Sequence, residues 1–589
     1  KRIFGEIDQT EAAQREFAML YKTDQMGYVR EQMKDPDIKK EKKETLPEGW
    51  MGDTEKTYHL KKFNANDIPE EHRVLKAANN PRYPQIRQAL VEWTNWKTSQ
   101  VDDTHPRSKP AVRSGFEIWK NGCEQKTWEC DSKNELNKIQ AAFGRQLGST
   151  NSPNPGHLRN FKLMMDKFFE YLNQRVEDFD LAKIPFVDPV DWVNSHSTWE
   201  DEKKLKYQLG IWKHIEDPRI ENYRGAFEVF IKSGEEYSTD GVNVESYFVQ
   251  NVSERSRGIS NPSEQLCGLA TYIQAVLVFP ILKEIIPGFV HGVSCHDYSV
   301  KISKDTEHMD LKGTKAMSFD GSGFDSNQHV ELQQIVDKGV YDAFEDKIIK
   351  ALLKWKMIKD EKKVVDIKRG LRHTWTTFES RWFLRLEGIS NFIDNSRDCK
   401  EFSKFFKRRV NDAIALTLTG TTFSGHPTMT TLGNTMRSLS YMWYVCWLKS
   451  IPDPWLPNNN VHAMAAGDDS VMFVANELVP SIKDSLKEVF VPNKQLPQYG
   501  LGQCIDKYEI YTREYWDFDF CSKWCFNDGN NWVVTRDYSK ILWNKQIYDG
   551  DHVPFLTNPA LHAAAILEGL RSEGAGESLL ADLVAYRKE

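Results

Sequence analysis

Three aspartates carry the chemistry that can be read first in this 589-residue chain. Asp320 closes the run Ala316-Met317-Ser318-Phe319-Asp320, and Asp468 and Asp469 follow Gly467 between two short apolar stretches. Carboxylates gathered at one point repel and raise one another's pKa unless cations join them. Hard divalent ions such as Mg2+ take oxygen ligands, commonly one or two carboxylates plus substrate phosphates. Two such ions about 4 Å apart clamp the attacking and leaving oxygens of an in-line phosphoryl displacement, which is what nucleotidyl transfer needs. Taken singly, each piece has a plain structural reading. Gly-Asp-Asp is a common turn, and Asp320 with Asp325 suits the acid-rich start of a helix. Order and context along the chain favour the chemical reading.

The elements that must position these groups are legible from periodicity. Met317 and Phe319 alternate with Ser318 and Asp320, the pattern of a half-buried strand delivering a carboxylate to its polar face. After Asp325, Leu332, Ile335, Val336 and Val340 recur at helical spacing. Residues 461–466 and 471–474 read as strands, and Gly467-Asp468-Asp469 between them is a hairpin signal. Thr422-Phe423-Ser424-Gly425-His426-Pro427 has loop composition, and a helix is expected after it. Leu432, Met436, Leu439, Trp443 and Cys446 form its apolar stripe; Thr430, Asn434 and Ser438 recur on the opposite face. That polar row either points into a cavity or merely faces solvent.

Asp320-Gly-Ser-Gly-Phe-Asp325, Ser424-Gly425 leading to Thr430-x-x-x-Asn434-Thr435, and Gly467-Asp468-Asp469 resemble motifs A, B and C of RNA-dependent RNA polymerases of positive-strand RNA viruses. Spacing is most similar to the flavivirus-, tombusvirus- and nodavirus-like groups. Further pieces fall in the same order, covering about half of the chain. Phe230-Ile231-Lys232 and the run from Arg255 and Arg257 to Pro262 resemble motif F, whose basic side chains meet the incoming triphosphate. The stretch from Tyr499-Gly500 to Lys507 is similar to motif D, and Phe520-Cys521-Ser522-Lys523 to motif E, the hairpin that braces the primer end. Two departures stand out: Thr430 is six residues after Ser424, one more than usual, and about a hundred residues separate Asp325 from Ser424.

The resemblance implies an α+β right hand of fingers, palm and thumb, with an antiparallel palm sheet backed by helices. Residues 1–150 would be an N-terminal region, 151–310 fingers, 311–345 palm, 346–419 a fingers insertion, 420–527 palm and 528–589 thumb. It implies two Mg2+ ions, replaceable by Mn2+, on Asp320, Asp468 and Asp469, with Lys507 as a general acid. NTP would be met by Lys232, Arg255, Arg257, Asp325, Ser424, Gly425, Thr430 and Asn434, and the primer by Cys521, Ser522 and Lys523. The partners implied are template and product RNA, NTPs and other viral replication proteins, in the host-cell cytoplasm at membrane-associated replication complexes. A reverse transcriptase would instead carry an aromatic at the ribose gate and Tyr-x-Asp-Asp, where this chain has Asp325 and Ala466-Gly467. A scaffold without catalysis would have no need of all three carboxylates.

Composition is that of an ordinary folded chain, with 40% apolar and 28% charged residues, which excludes collagen-like, mucin-like and wholly disordered classes. The net charge of −7 says little about nucleic acid, which responds to local potential. The nine cysteines include no CxxC pair and fit a reducing compartment, and Cys521 and Cys525, four apart, read as buried thiols rather than zinc ligands. The apolar run 270–290 is interrupted by Gln274, Lys283, Glu284, Pro280 and Pro287 and reads as buried helix pieces, so no transmembrane segment is expected. The chain opens on Lys1 with no signal peptide, as expected of a processed piece whose membrane anchor, if any, lies elsewhere. The basic stretch 354–372 could line a template path or be a solvated helix face.

Overall fold

The computed structural model describes residues 153–196, 264–291, 294–319, 324–358, 361–376, 429–491, 500–504, 511–527 and 531–536, the backbone of the strands 108–110, 112–113, 128–130, 243–249, 256–261, 379–385, 413–419 and 547–548, and a few single positions between them. It is a mixed assembly of helices and antiparallel sheet. The central sheet has four strands, β1 (Thr314–Phe319), β2 (Val461–Ala466), β3 (Asp469–Ala475) and β4 (Tyr511–Glu514), in the order β4-β1-β3-β2. Every pairing within it is antiparallel. Beyond β2, Phe289 adds a short parallel bridge to Ala465. Gly288 permits that approach: its φ is +82°, and a Cβ there would stand 1.7 Å from the Ala463 carbonyl oxygen.

A second sheet of three antiparallel strands, β5 (Asp517–Phe520), β6 (Lys523–Asn527) and β7 (Trp532–Arg536), follows β4. The helices that matter for the site are α1 (Pro155–Asp178), α2 (Cys295–Thr306), α3 (Val330–Lys354), α4 (Lys362–Thr376), α5 (Asn434–Trp447) and α6 (Val479–Val489). Helix α3 starts where its apolar period predicts, with the His329 side chain accepting from the Glu331 amide as its N-cap.

Both faces of the central sheet are covered. Met317, Met472 and Val474 point into the larger core with α1, α3, α5 and α6, while Ala316, Val471 and Phe473 point into a second core with Tyr298, Ile302, Phe518 and Trp532. The half-buried strand expected over 316–320 is therefore corrected: Ala316 and Met317 are both buried, because the second sheet and α2 cover the face that the alternation suggested was open. Phe473 meets Phe518 edge-on at 5.3 Å between ring centroids, which ties the two sheets together.

Helix α5 is the axis of the larger core. Residues 434–446 are all buried, and Trp443 packs 4.7 Å from Phe168 of α1. The helix has no solvent face, so that alternative for its polar row fails. Its hydroxyls are absorbed locally: Ser440 donates to the Met436 carbonyl and Thr435 to the Thr431 carbonyl. A π-helical turn, Met429–Gly433, leads into it. Another π-turn, Gln274–Val278, joins the helices Glu264–Ile273 and Phe279–Ile285, so the chain stays helical past Pro280 rather than breaking there, and it ends just before Pro287. Among the described residues, Gly268–Ile285 is long and apolar enough to cross a membrane by length and composition, and 72% of it is buried inside the protein.

Candidate active site

The Gly467-Asp468 turn joins β2 to β3, with Ala466 paired to Asp469. Gly467 has φ +64° and, among the described residues, nothing within 4 Å of a Cβ position, so glycine is required there by backbone conformation. Asp468 and Asp469 are exposed at this tip. Two side chains of α5 fix the turn. The Gly467 amide donates to Thr435 Oγ1 at 2.8 Å, and Ser438 Oγ donates to the Gly467 carbonyl at 2.8 Å. Thr435 was not assigned a role from the sequence, and its position one residue from Asn434 was the only signal for it.

Strand β1 runs alongside β3 with Phe319 opposite Ser470, the neighbour of Asp469. Asp320, the next residue, lies outside the described residues. Asp468 and Asp469 offer only oxygen donors, the set that suits a hard divalent cation. Among the described residues no three His, Cys, Asp or Glu side chains gather as a metal site.

Asp325 and Asn434, 109 positions apart, are brought together: Asn434 Nδ2 donates to Asp325 Oδ1 at 3.0 Å. Both are buried, at 8% and 3% exposure. Asp325 sits on the 3-10 turn Phe324–Asn327, which a buried amide network holds in place. Gln328 Nε2 donates to the Phe324 carbonyl at 2.7 Å and to Gln503 Oε1 at 2.9 Å, while Tyr441 donates to Gln328 Oε1 at 2.7 Å. Gln503 Nε2 in turn donates to the Asn327 carbonyl at 3.1 Å. Asn434 Oδ1 is buried and, among the described residues, has no hydrogen-bond partner, an acceptor left open beside Asp325.

One turn further along α5, Arg437 is fully buried and its Nε lies 3.1 Å from Asp337 Oδ1 on α3. The same Nε donates to the Gly433 carbonyl at 3.0 Å, and Nη1 donates to Thr422 Oγ1 at 2.8 Å. Burial pushes the Asp337 carboxyl up, and the Arg437 guanidinium pulls it back down. This pair anchors the first turn of α5 to α3. Sequence periodicity missed it, and a lone arginine amid apolar positions was the available hint.

On the other side of the tip, Cys521 and Ser522 form the two-residue turn between β5 and β6, with φ of +53° and +58°. Burial first, then the negative Asp469, pushes the Cys521 thiol well up. Lys523 Nζ stands 4.4 Å over the Tyr298 ring. The free thiols described include a buried Cys525. Thr430 is half-buried in the π-turn. Arg257 lies on the backbone strand Ser256–Asn261. Lys232, Arg255, Ser424, Gly425 and Lys507 lie outside the described residues. In the basic stretch after α3, Arg372 pairs with Asp342 at 2.9 Å and Glu345 at 2.8 Å, and Lys368 with Asp346 at 3.3 Å, so these cations are engaged with α3.

No protein-family profile matches the chain. No curated protein matches it either. Among solved structures, the RNA-dependent RNA polymerase of a human picorbirnavirus is similar at 12% sequence identity, over 59% of this chain and 55% of that one, with a TM-score of 0.35. The chain thus spans little more than half the length of that protein, and a TM-score of this size does not establish a shared fold.

Proposed function

We propose that this chain is an RNA-dependent RNA polymerase with a right-hand architecture, related by its motifs to polymerases of positive-strand RNA viruses, and that it copies RNA by nucleotidyl transfer from NTPs. The observation that carries the reading is the junction made by α5. One helix holds the Gly467-Asp468 tip through Thr435 and Ser438, and through Asn434 it holds Asp325. Three motifs far apart in sequence thereby converge on one spot. The strand register sets Phe319, which precedes Asp320 in the chain, opposite Ser470, which follows Asp469.

Asp320, Asp468 and Asp469 would hold Mg2+, with Mn2+ as a substitute. Bound there, the ions supply charge stabilisation to the attacking hydroxyl and the departing pyrophosphate. The remaining roles belong to the chain. Arg255, Arg257 and Lys232 neutralise the triphosphate, Ser424, Gly425 and Thr430 shape the loop around the nucleotide, and Lys507 donates a proton to the leaving group. Asn434 Oδ1 accepts from the ribose 2′-hydroxyl while its amide stays on Asp325, so the open acceptor becomes the discriminator between ribose and deoxyribose. Lys523 with the Cys521-Ser522 turn supports the primer end. Other replication proteins and a membrane-associated cytoplasmic complex are the setting this activity implies.

The test is synthesis by the purified chain on a short RNA, without primer and with one, in Mg2+ or Mn2+. Template-complementary product from NTPs supports the reading. Product from dNTPs alone would make it a reverse transcriptase, and the absence of any product with either metal would contradict it.

A further inference from the structure

We propose that Arg437 and Thr422 are positioning residues for ribose discrimination, fixing the Asp325–Asn434 pair so that Asn434 Oδ1 meets the sugar; this rests on the reading of that pair as the ribose gate. The hydrogen bonds around the pair close a ring. Asn434 Nδ2 on α5 donates to Asp325 Oδ1 at 3.0 Å. The Asp325 carbonyl accepts from the Thr422 amide at 2.8 Å, and Thr422 Oγ1 accepts from Arg437 Nη1 at 2.8 Å. Arg437 follows Asn434 by one turn of the same helix, which completes the circuit. The chain entering Thr422 is packed closely against the segment after Asp325. A Cβ on Gly420, whose φ is +75°, would stand 2.9 Å from the Val330 amide nitrogen and 3.0 Å from the Gln328 carbonyl oxygen.

Thr422 and Arg437 are both fully buried. A buried ion pair is a weak source of stability, since well-packed apolar residues of similar volume often do as well. What such residues lack is the guanidinium fork, whose N–H groups point in fixed directions. Here Nε faces the Gly433 carbonyl at 3.0 Å and Asp337 Oδ1 at 3.1 Å, while Nη1 faces Thr422. One planar group thus ties the π-turn, α3 and the connection at Thr422 to the part of α5 that carries Asn434. Asp325 is held from two sides, by its carboxylate through Asn434 and by its carbonyl through Thr422. Loosening the second hold lets the carboxylate turn, carries the Asn434 amide with it and moves Oδ1 off the 2′-hydroxyl. A deoxy substrate has no hydroxyl there to lose, so the ratio of the two substrates reads the geometry.

Arg437→Ala would strand the Asp337 carboxylate in the core and destabilise the whole fold, so the test is made at Thr422. The experiment uses the full chain with Thr422→Val, which leaves the Arg437–Asp337 pair in place, and Thr422→Ser, which restores the acceptor. Ser485→Ala is the control for lowered stability alone: Ser485 donates to the Val445 carbonyl at 2.9 Å, near the other end of α5. Each protein is assayed below its unfolding temperature for kcat/KM with a matched rNTP and its 2′-deoxy analogue on an RNA template. Thr422→Val is expected to lower the rNTP over dNTP ratio about two- to fivefold, part of what the Asn434 bond to the sugar supplies, through the rNTP alone. Thr422→Ser recovers the ratio, and Ser485→Ala keeps it. Should Thr422→Val not fold, Thr422→Ala is read in the same way. A wild-type ratio in Thr422→Val while Asn434→Ala lowers it overturns the proposal, as does an equal fall in Ser485→Ala. A ratio unchanged in Asn434→Ala as well is the failure of the ribose-gate reading itself, and the proposal falls with it.

Discussion

Replacing Asn434 by alanine tests the junction at its most sensitive point. The substitution removes the 3.0 Å hydrogen bond to Asp325 and the open Oδ1 beside it. Asp325 is 8% exposed, so water does not readily take over the lost bond. The bond that distinguishes the two substrates, from the 2′-hydroxyl to Asn434 Oδ1, joins two neutral groups and contributes about 0.5–1.5 kcal/mol, which sets the expected loss. At 1.4 kcal/mol per decade, the preference for rNTP over dNTP falls roughly 2- to 12-fold. The assay is single-nucleotide incorporation on an RNA template, with kcat/KM measured for a matched rNTP and its 2′-deoxy analogue. The fall should come from slower use of the rNTP, since the deoxy analogue never made the bond. Equal losses for the two substrates, leaving their ratio unchanged, would show that Asn434 does not face the sugar and would refute the reasoning.

Other expectations follow from the same geometry. A Cβ at Gly433 would come within 2.6 Å of Arg437 Nη2 and 2.7 Å of Asp337 Oδ2, so Gly433→Ala should pry apart the buried pair and cost about 3–5 kcal/mol in urea unfolding. His462 is buried against Phe473, and burial pushes its pKa down to about 3. The unfolded chain takes up this proton near 6.5, so the stabilisation is present above that pH and is lost as pH falls toward 3. At pH 5 the loss is about 2 kcal/mol, visible as a lower unfolding midpoint that His462→Phe should not share. Arg257→Ala should raise the KM for NTP several-fold at unchanged RNA affinity in a filter-binding assay, because it would contact the triphosphate rather than the template.

The hairpin was legible because its signal is local: two apolar runs of strand length flank a glycine that the turn's positive φ requires. Helix α3 was legible for the same reason, its buried Leu332, Val336 and Val340 recurring every turn. Helix α5 was half legible. Its apolar stripe stood out, and of the two readings left open for the row Thr430, Asn434 and Ser438 the solvent-facing one fails, since Asn434 bonds to Asp325 and Ser438 to the hairpin. The burial of β1 on both faces depends on β5–β7, two hundred residues downstream, and alternation within six residues carries no trace of that. The links between Arg437 and Asp337 and between Gln328 and Gln503 are side-chain contacts across long separations, and no periodicity announces them.

The claim on which the functional account stands is that the tip residue Asp468 serves phosphoryl chemistry and not merely a turn. Template-directed incorporation of labelled NTP by Asp468→Asn, measured beside the wild type with RNA affinity as control, addresses it most directly. The account predicts product from the wild type, none from the variant, and equal RNA binding by both. Comparable synthesis by the two proteins would contradict it.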